Sequence, residues 1–185
     1  MIPNGAGLKL REILDAVLAD KNLEPHKNDD GEITKTFCNS AVQIAAENVG
    51  YHDKLNKKMA NQIMALLEAE AKKHKAWVAW SKDRDDNGPE RGDWCEVDGQ
   101  NANLAANLGL FSIAAVYAKP HGHVASVYPG AMLWSTKWGK ECPVVANVGQ
   151  RNGVMGANWA FKDEPRYFAC LALNEDGKWT GRGLS

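Results

Sequence analysis

Three residues in this sequence have side chains that together can perform nucleophilic catalysis: Cys38, His123 and Asn147. A cysteine thiolate can attack a carbonyl carbon, a histidine can take up the thiol proton, and a side-chain amide can orient the histidine ring. This set predicts acyl transfer through a thioester, a reaction that needs neither a metal ion nor an organic cofactor.

Cys38 follows a polar loop and lies in the first turn of a predicted helix, within the string Thr36-Phe37-Cys38-Asn39-Ser40. The positive end of a helix stabilises a thiolate, so this position predicts a lowered pKa for the Cys38 thiol. The unpaired N–H groups of the first turn could also bind an oxyanion. The alternative is a structural role, because cysteine is often fully buried.

His123 begins the apolar segment GHVASV, and Asn147 interrupts the apolar segment VVANVG. A buried amide needs a hydrogen-bond partner, and the Nδ1–H of a neighbouring histidine is a suitable donor to the Asn147 carbonyl. The alternatives are a turn histidine bonded to the backbone and a structural or surface-facing asparagine. His121 lies two residues before His123, but no third ligand follows at a suitable spacing, so we predict no metal site.

The other three cysteines have different surroundings in the sequence. Cys170 falls in the apolar segment 166–173 and is predicted to be a core residue, whereas Cys95 and Cys142 fall in polar segments predicted to be loops. These two could pair in an oxidising compartment, although a sequence cannot show their proximity. The chain has no C-x-x-C pair, which argues against a zinc ribbon or a thioredoxin-type redox site.

Tryptophan is unusually frequent, with seven residues against four tyrosines and four phenylalanines. Six of them fall near predicted loops or short strands: Trp77, Trp80, Trp94, Trp134, Trp138 and Trp159. Exposed indoles could stack on sugar rings or peptide planes, and core packing is the alternative for each of them. Because Trp138 lies between His123 and Asn147 in the chain, we predict that it lines the cleft.

The elements that must position these residues begin with helices. Spacings of three and four predict an amphipathic helix of about fourteen residues through Leu8, Leu10, Ile13, Leu14, Val17 and Leu18. A polar loop is predicted over 22–35, a second helix over about 36–49 with Gly50 at its end, and a third over about 57–74. A short helix is predicted over 101–108, with Gly109 at its C-terminal end.

Strand-forming segments dominate the second half of the chain. A short strand is predicted over 77–80 and a loop over 81–99, followed by strands over 110–118, 123–128, 143–148 and 166–173. Strands that follow one another without long helices between them favour an antiparallel sheet. The order of the elements therefore predicts an α+β fold, with the helices packed against one face of the sheet.

The composition limits the class of protein. A chain of 185 residues fits one domain, and 22 basic against 23 acidic side chains give a net charge of −1. This balance predicts no nucleic-acid partner, and no apolar run approaches the ~18 residues of a membrane span. Charged side chains interrupt the first 21 residues, so no signal-peptide pattern is visible.

Three segments resemble the NlpC/P60 and CHAP class of papain-like cysteine hydrolases. They are TFCNSAVQIAAENVG, GHVASVYPG and VVANVG, and they follow the family's order of cysteine, histidine and polar third residue. The resemblance spans about 34–149, within a single domain over 1–185 whose residues 1–33 are a predicted N-terminal helical extension. It implies a papain-like fold with N-terminal helices on a central antiparallel sheet.

The same resemblance implies a function and roles for individual residues. Cys38 would be the nucleophile, His123 the base and later the acid, and Asn147 the orienting residue, with Asn39 and Trp138 as substrate-binding residues. The expected activity is cleavage of amide bonds in bacterial peptidoglycan, at the cell wall or in the periplasm. The alternatives are a protein-directed peptidase or deamidase, an acyltransferase, and a non-catalytic glycan-binding module.

Overall fold

The computed structural model describes residues 2–50, 55–73 and 94–170, and it shows an α+β architecture. A six-stranded antiparallel sheet forms its centre, and helices pack on the sheet. The α+β class and the antiparallel sheet predicted from the sequence are therefore confirmed.

Four of the five helices in the described residues lie close to their predicted positions, and the last, a single turn, has no counterpart among the predicted elements. The helices are α1 (Gly5–Leu18), α2 (Cys38–Asn48), α3 (Ala60–Ala71), α4 (Gly99–Asn107) and α5 (Ala157–Ala160), with a 3₁₀ turn over Lys21–Leu23. Gly50 follows α2 with a φ of +82°, as expected for a glycine that ends a helix. No helix in the described part of the chain is long and apolar enough to cross a membrane.

Ten strands occur in the described residues. They are β1 (His26–Lys27), β2 (Ile33–Lys35), β3 (Trp94–Val97), β4 (Ser112–Val116), β5 (His123–Val127), β6 (Leu133–Ser135), β7 (Lys140–Cys142), β8 (Val144–Asn147), β9 (Gly153–Gly156) and β10 (Arg166–Cys170). The large sheet has the order β3-β10-β4-β5-β8-β9, and β1–β2 and β6–β7 form two separate hairpins. Strands β5 and β8, which carry His123 and Asn147, are neighbours in this sheet.

Several short strands replace predicted loops. The loop predicted over 22–35 contains the β1–β2 hairpin, and the loop predicted over 81–99 ends in β3. These strands are two to four residues long, too short for an alternating pattern to be recognised. In addition, β3 forms by pairing with β10, a segment distant in sequence. The strand predicted over 77–80 lies outside the described residues.

The helices cover both faces of the sheet, so the prediction that they share one face is wrong. Side chains of successive strand residues point to opposite faces. On β10, Arg166 pairs with Glu68 of α3, whereas Ala169 packs in a cluster with Ala105 of α4. Helices α3 and α4 therefore lie on opposite sides of β10.

All four cysteines are buried. Cys170 is in the core as predicted, but Cys95 lies within β3 and Cys142 ends β7, so the prediction of loop positions for these two is wrong. Cys142 is a thiol whose Sγ lies 3.4 Å from the amide oxygen of Asn158. Burial of these side chains depends on strand pairing, which their polar sequence neighbours do not reveal.

Candidate active site

Cys38 is the first residue of α2, and its helix packs against β5. Its side chain is buried, with 7% of the residue exposed. A backbone group of Val124 lies within hydrogen-bonding reach of the thiol, as do the backbone groups of Asn39 and of Cys38 itself. Because Val124 directly follows His123 in β5, this contact brings the thiol next to the start of the histidine strand.

The predicted direction of the Cys38 pKa shift is wrong. The backbone groups of Val124, Asn39 and Cys38 do lower the pKa, as expected at a helix start, but burial of the thiol outweighs them and raises the Cys38 pKa above its ordinary value of 9.0. Removal of the thiol from water disfavours the thiolate more than the backbone dipoles favour it. At neutral pH the resting residue is therefore a protonated thiol.

His123 and Asn147 form a direct hydrogen bond, with 2.7 Å between His123 Nε2 and Asn147 Oδ1. The predicted donor was Nδ1, and the structure corrects this to Nε2. A carbonyl oxygen can only accept, so Nε2 carries the hydrogen and the lone pair of the neutral ring is on Nδ1. Within the described residues no hydrogen bond occupies Nδ1, which leaves this nitrogen available as a base.

The His123 ring lies in apolar surroundings. The buried ring of Phe161 packs at a tilt against it, with 4.9 Å between the ring centroids. Burial lowers the pKa of His123 below 6.5, while the bond to Asn147 acts in the opposite direction with a smaller effect. The histidine is therefore neutral at physiological pH, the protonation state that a general base requires.

Asn147 is itself held in place by the loop that follows β8. Its Nδ2 donates to the Arg151 carbonyl at 2.6 Å, which orients the amide so that Oδ1 faces His123. Asn152 steadies this loop: its Oδ1 accepts from the Gly149 N–H at 3.1 Å, and its Nδ2 donates to the Leu23 carbonyl at 2.9 Å. The orienting amide thus depends on a contact with the N-terminal segment.

The other side of His123 is positioned by α3. Asn61 donates from Nδ2 to the Ala118 carbonyl at 2.9 Å, and so holds the connection between β4 and β5. A Cβ at Gly122 would clash with the Asn61 side chain and with the Val116 carbonyl, so only glycine allows this close approach. Asn61 and Gly122 therefore determine where β5, and with it His123, begins.

The structure does not test the predicted substrate-binding role of Asn39 and Trp138, but it does show their contacts. Asn39 Nδ2 donates to the Lys58 carbonyl at 3.1 Å and so ties the start of α2 to the segment before α3. Trp138 lies in the turn between β6 and β7, half-buried against the core. Its neighbour Lys137 donates from Nζ to the carbonyl of Phe161, which packs on His123.

The remaining tryptophans divide into core and surface residues. Trp94 is fully buried and packs edge-on against Phe111, whereas Trp134 and Trp159 are 64% and 78% exposed. Trp77 and Trp80 lie outside the described residues. Core packing is therefore confirmed for Trp94, and two indoles are accessible to a ligand.

His121 is exposed, and no group of three or more His, Cys, Asp or Glu side chains in the described ranges is arranged to hold a metal ion. The sequence patterns do not indicate three residues that support the site: Phe161, Asn152 and Asn61. Their contribution is to position other residues, which no local motif signals.

No protein-family model matches the chain, and no curated protein matches it. The function must therefore be inferred from the geometry of Cys38, His123 and Asn147.

Proposed function

We propose that this chain is a papain-like cysteine hydrolase that cleaves amide bonds in bacterial peptidoglycan. One observation carries the proposal: the His123 ring is held by Asn147 through Nε2, while the Cys38 thiol contacts the backbone of Val124, the next residue. A thiol at a helix start, a neutral imidazole with Nδ1 available and an orienting amide make up a nucleophile, a base and its support.

The reaction would begin with transfer of the Cys38 proton to His123 Nδ1 as Sγ attacks the amide carbonyl carbon. Backbone N–H groups at the start of α2 would stabilise the oxyanion of the tetrahedral intermediate. When the C–N bond breaks, His123 returns the proton to the leaving amine and a thioester remains on Cys38. Water activated by His123 then hydrolyses the thioester, which releases a carboxylic acid and restores the thiol.

The pKa shifts of Cys38 and His123 favour proton transfer during the attack over a thiolate–imidazolium pair formed beforehand. Burial raises the pKa of Cys38 and lowers that of His123, so both residues are neutral before substrate binds. In this state the imidazole has to act as a true general base, and its orientation by Asn147 becomes essential.

The test is digestion of purified bacterial sacculi, with the soluble products identified by mass spectrometry. We expect the wild-type protein to release fragments with a new amine and a new carboxylate, and Cys38→Ala to release none. Cys170→Ala is the matched control, because it makes the same substitution at a buried thiol of β10, away from the candidate site. Equal digestion by wild type and Cys38→Ala would overturn the proposal.

The same assay separates the related activities. Cleavage of protein substrates but not of sacculi would indicate a protein-directed peptidase, and ammonia release without chain cleavage would indicate a deamidase. Acylation of an added amine would indicate an acyltransferase. Each of these outcomes would contradict the peptidoglycan substrate while leaving the thiol mechanism in place.

A non-catalytic glycan-binding module is the second candidate, and burial of Cys38 favours it. A thiol that is 7% exposed, with a raised pKa, has the properties of a structural cysteine. This candidate predicts that wild type and Cys38→Ala bind sacculi equally in a pull-down and that neither digests them.

A further inference from the structure

A groove with an exposed tryptophan at its edge lies away from the three candidate catalytic residues. It has a volume of about 470 Å³, within the range of small-ligand sites, roughly 300–1,000 Å³. The β6–β7 hairpin forms one side of it and the start of α4 the other, with Pro143 and Tyr167 also in its lining. None of Cys38, His123 and Asn147 lines this groove.

The hairpin presents an indole and a carboxylate side by side. Trp134 in β6 is paired with Glu141 in β7, so their side chains share one face of the hairpin. Trp134 is 64% exposed, and Glu141 makes no hydrogen bond or ion pair within the part of the chain that the structure describes. A ligand could pack on this exposed indole and donate hydrogen bonds to the neighbouring carboxylate.

The opposite side of the groove supplies further polar groups. Asp98 caps α4 by accepting from the Asn101 N–H at 2.7 Å, and the exposed Gln100 follows in the first turn. Gly99 permits close packing here, since a Cβ at this position would stand 3.1 Å from Cδ of Pro143 and 3.4 Å from the Tyr167 ring. The site therefore contains hydrogen-bond donors and acceptors above a closely packed floor.

The charges in the lining select among possible ligands. Three carboxylates (Asp98, Glu141 and Glu164) face one ammonium, that of Lys140, so an anionic ligand is disfavoured. A cation is not strongly favoured either, because Asp98 is bonded to Asn101 and Glu164 is paired with Lys140 at 2.6 Å. An uncharged ligand with many hydroxyl groups fits this mixture.

We propose that this groove binds a neutral glycan chain, with one pyranose ring stacked on the Trp134 indole. The apolar C–H face of a pyranose matches the flat indole, and its hydroxyls can both donate to the carboxylates and accept from Lys140 and the Gln100 amide. The proposal does not depend on hydrolysis at Cys38, because the groove and the candidate catalytic residues share no side chain.

The experiment measures binding of the tetramers of N-acetylglucosamine and of glucose by isothermal titration calorimetry, with Cys38→Ala as the background so that no hydrolysis interferes. We expect saturable binding of at least one tetramer and a roughly tenfold weaker affinity after Trp134→Ala, the loss expected for one stacked aromatic contact. Trp159→Ala is the matched control, because Trp159 is 78% exposed but does not line the groove.

Two further measurements test the role of charge in binding and the folding of the variants. Glu141→Gln keeps the hydrogen-bonding shape without the charge, so a neutral glycan should still bind within a few-fold. Circular dichroism checks that each variant is folded. Absence of binding by both tetramers, or equal affinities for Cys38→Ala with and without Trp134→Ala, would overturn the proposal.

Discussion

At the scale of single residues, the most informative feature is the opposite direction of two pKa shifts. Burial raises the pKa of Cys38 and lowers that of His123, so the same physical cause keeps both residues uncharged. The helix start at Cys38 and the amide of Asn147 both favour charge, but their effects are smaller than that of burial. In the proposed mechanism, proton transfer would therefore follow substrate binding.

The neutral state of His123 predicts how the rate of sacculus digestion falls on the acidic side of its pH profile. A base must be unprotonated, and the lowered pKa of His123 means that the ring stays neutral to a pH below 6.5. We therefore expect the rate of sacculus digestion at low substrate concentration to fall only below pH 6.5. An NMR titration of the His123 Cε1–H, assigned with His123→Gln, reports the same group without substrate.

Asn147→Ala tests the orienting bond. Because that bond favours the protonated ring, its loss should lower the His123 pKa further and move the acid limb to lower pH. The loss of ring orientation should also reduce the rate by roughly 10²-fold. A His123 pKa in Asn147→Ala that equals or exceeds that of the wild-type protein would contradict the expected direction.

At the scale of elements, the loop between β8 and β9 links the candidate site to the N-terminal segment. Asn152 joins the Gly149 N–H on this loop to the carbonyl of Leu23, the last residue of the 3₁₀ turn. The same loop carries the Arg151 carbonyl that orients Asn147. Residues before α2 therefore take part in positioning the candidate site, although they lie outside the resemblance to known hydrolases.

Asn152→Ala should destabilise the fold by about 1–3 kcal/mol, because it leaves the partly buried Gly149 N–H and the Leu23 carbonyl without their partner. The free energy of unfolding in urea measures this loss. Asn48→Ala is the control: its side chain bonds only to the Ile44 carbonyl of its own helix in an exposed position, so a change within ~0.5 kcal/mol is expected. Equal losses in both variants would contradict the role of Asn152.

At the scale of the whole molecule, α1 connects elements that are distant from it in sequence. Asn4 donates its backbone N–H to the Asn107 carbonyl at the end of α4. Arg11 and Asp15 both bond the Tyr128 hydroxyl just after β5, at 2.8 and 2.6 Å. Helix α1 thus joins α4 to the end of the histidine strand.

The contact between α1 and α4 requires a glycine. A Cβ at Gly7 would clash with the Asn107 backbone carbonyl, which cannot move without disturbing α4, so Gly7→Ala should destabilise the protein by about 1–3 kcal/mol. Gly5→Ala is the matched control in the same helix, because nothing lies within 4 Å of a Cβ there. The control should be neutral or up to about 1 kcal/mol more stable.

Urea unfolding of the two variants compares them directly. A Gly7→Ala protein as stable as Gly5→Ala would show that α1 and α4 are not packed closely in solution.

The sequence by itself determined the longer helices and strands and the order of the candidate residues. Helical spacing located α1 to α4 within a few residues, and apolar segments located β4, β5, β8 and β10, because these patterns are set by neighbours along the chain. The presence of Cys38 at a helix start and of His123 and Asn147 on strands was predictable for the same reason.

Tertiary structure alone decided the properties that depend on distant residues. The direction of the Cys38 pKa shift follows from burial by the folded chain, and the use of His123 Nε2 follows from the pairing of β5 with β8. The placement of α4 on the opposite face and the groove beside Trp134 likewise arise from contacts between remote segments. Local patterns carry no information on such contacts, because desolvation and side-chain orientation are set by whichever elements pack nearby.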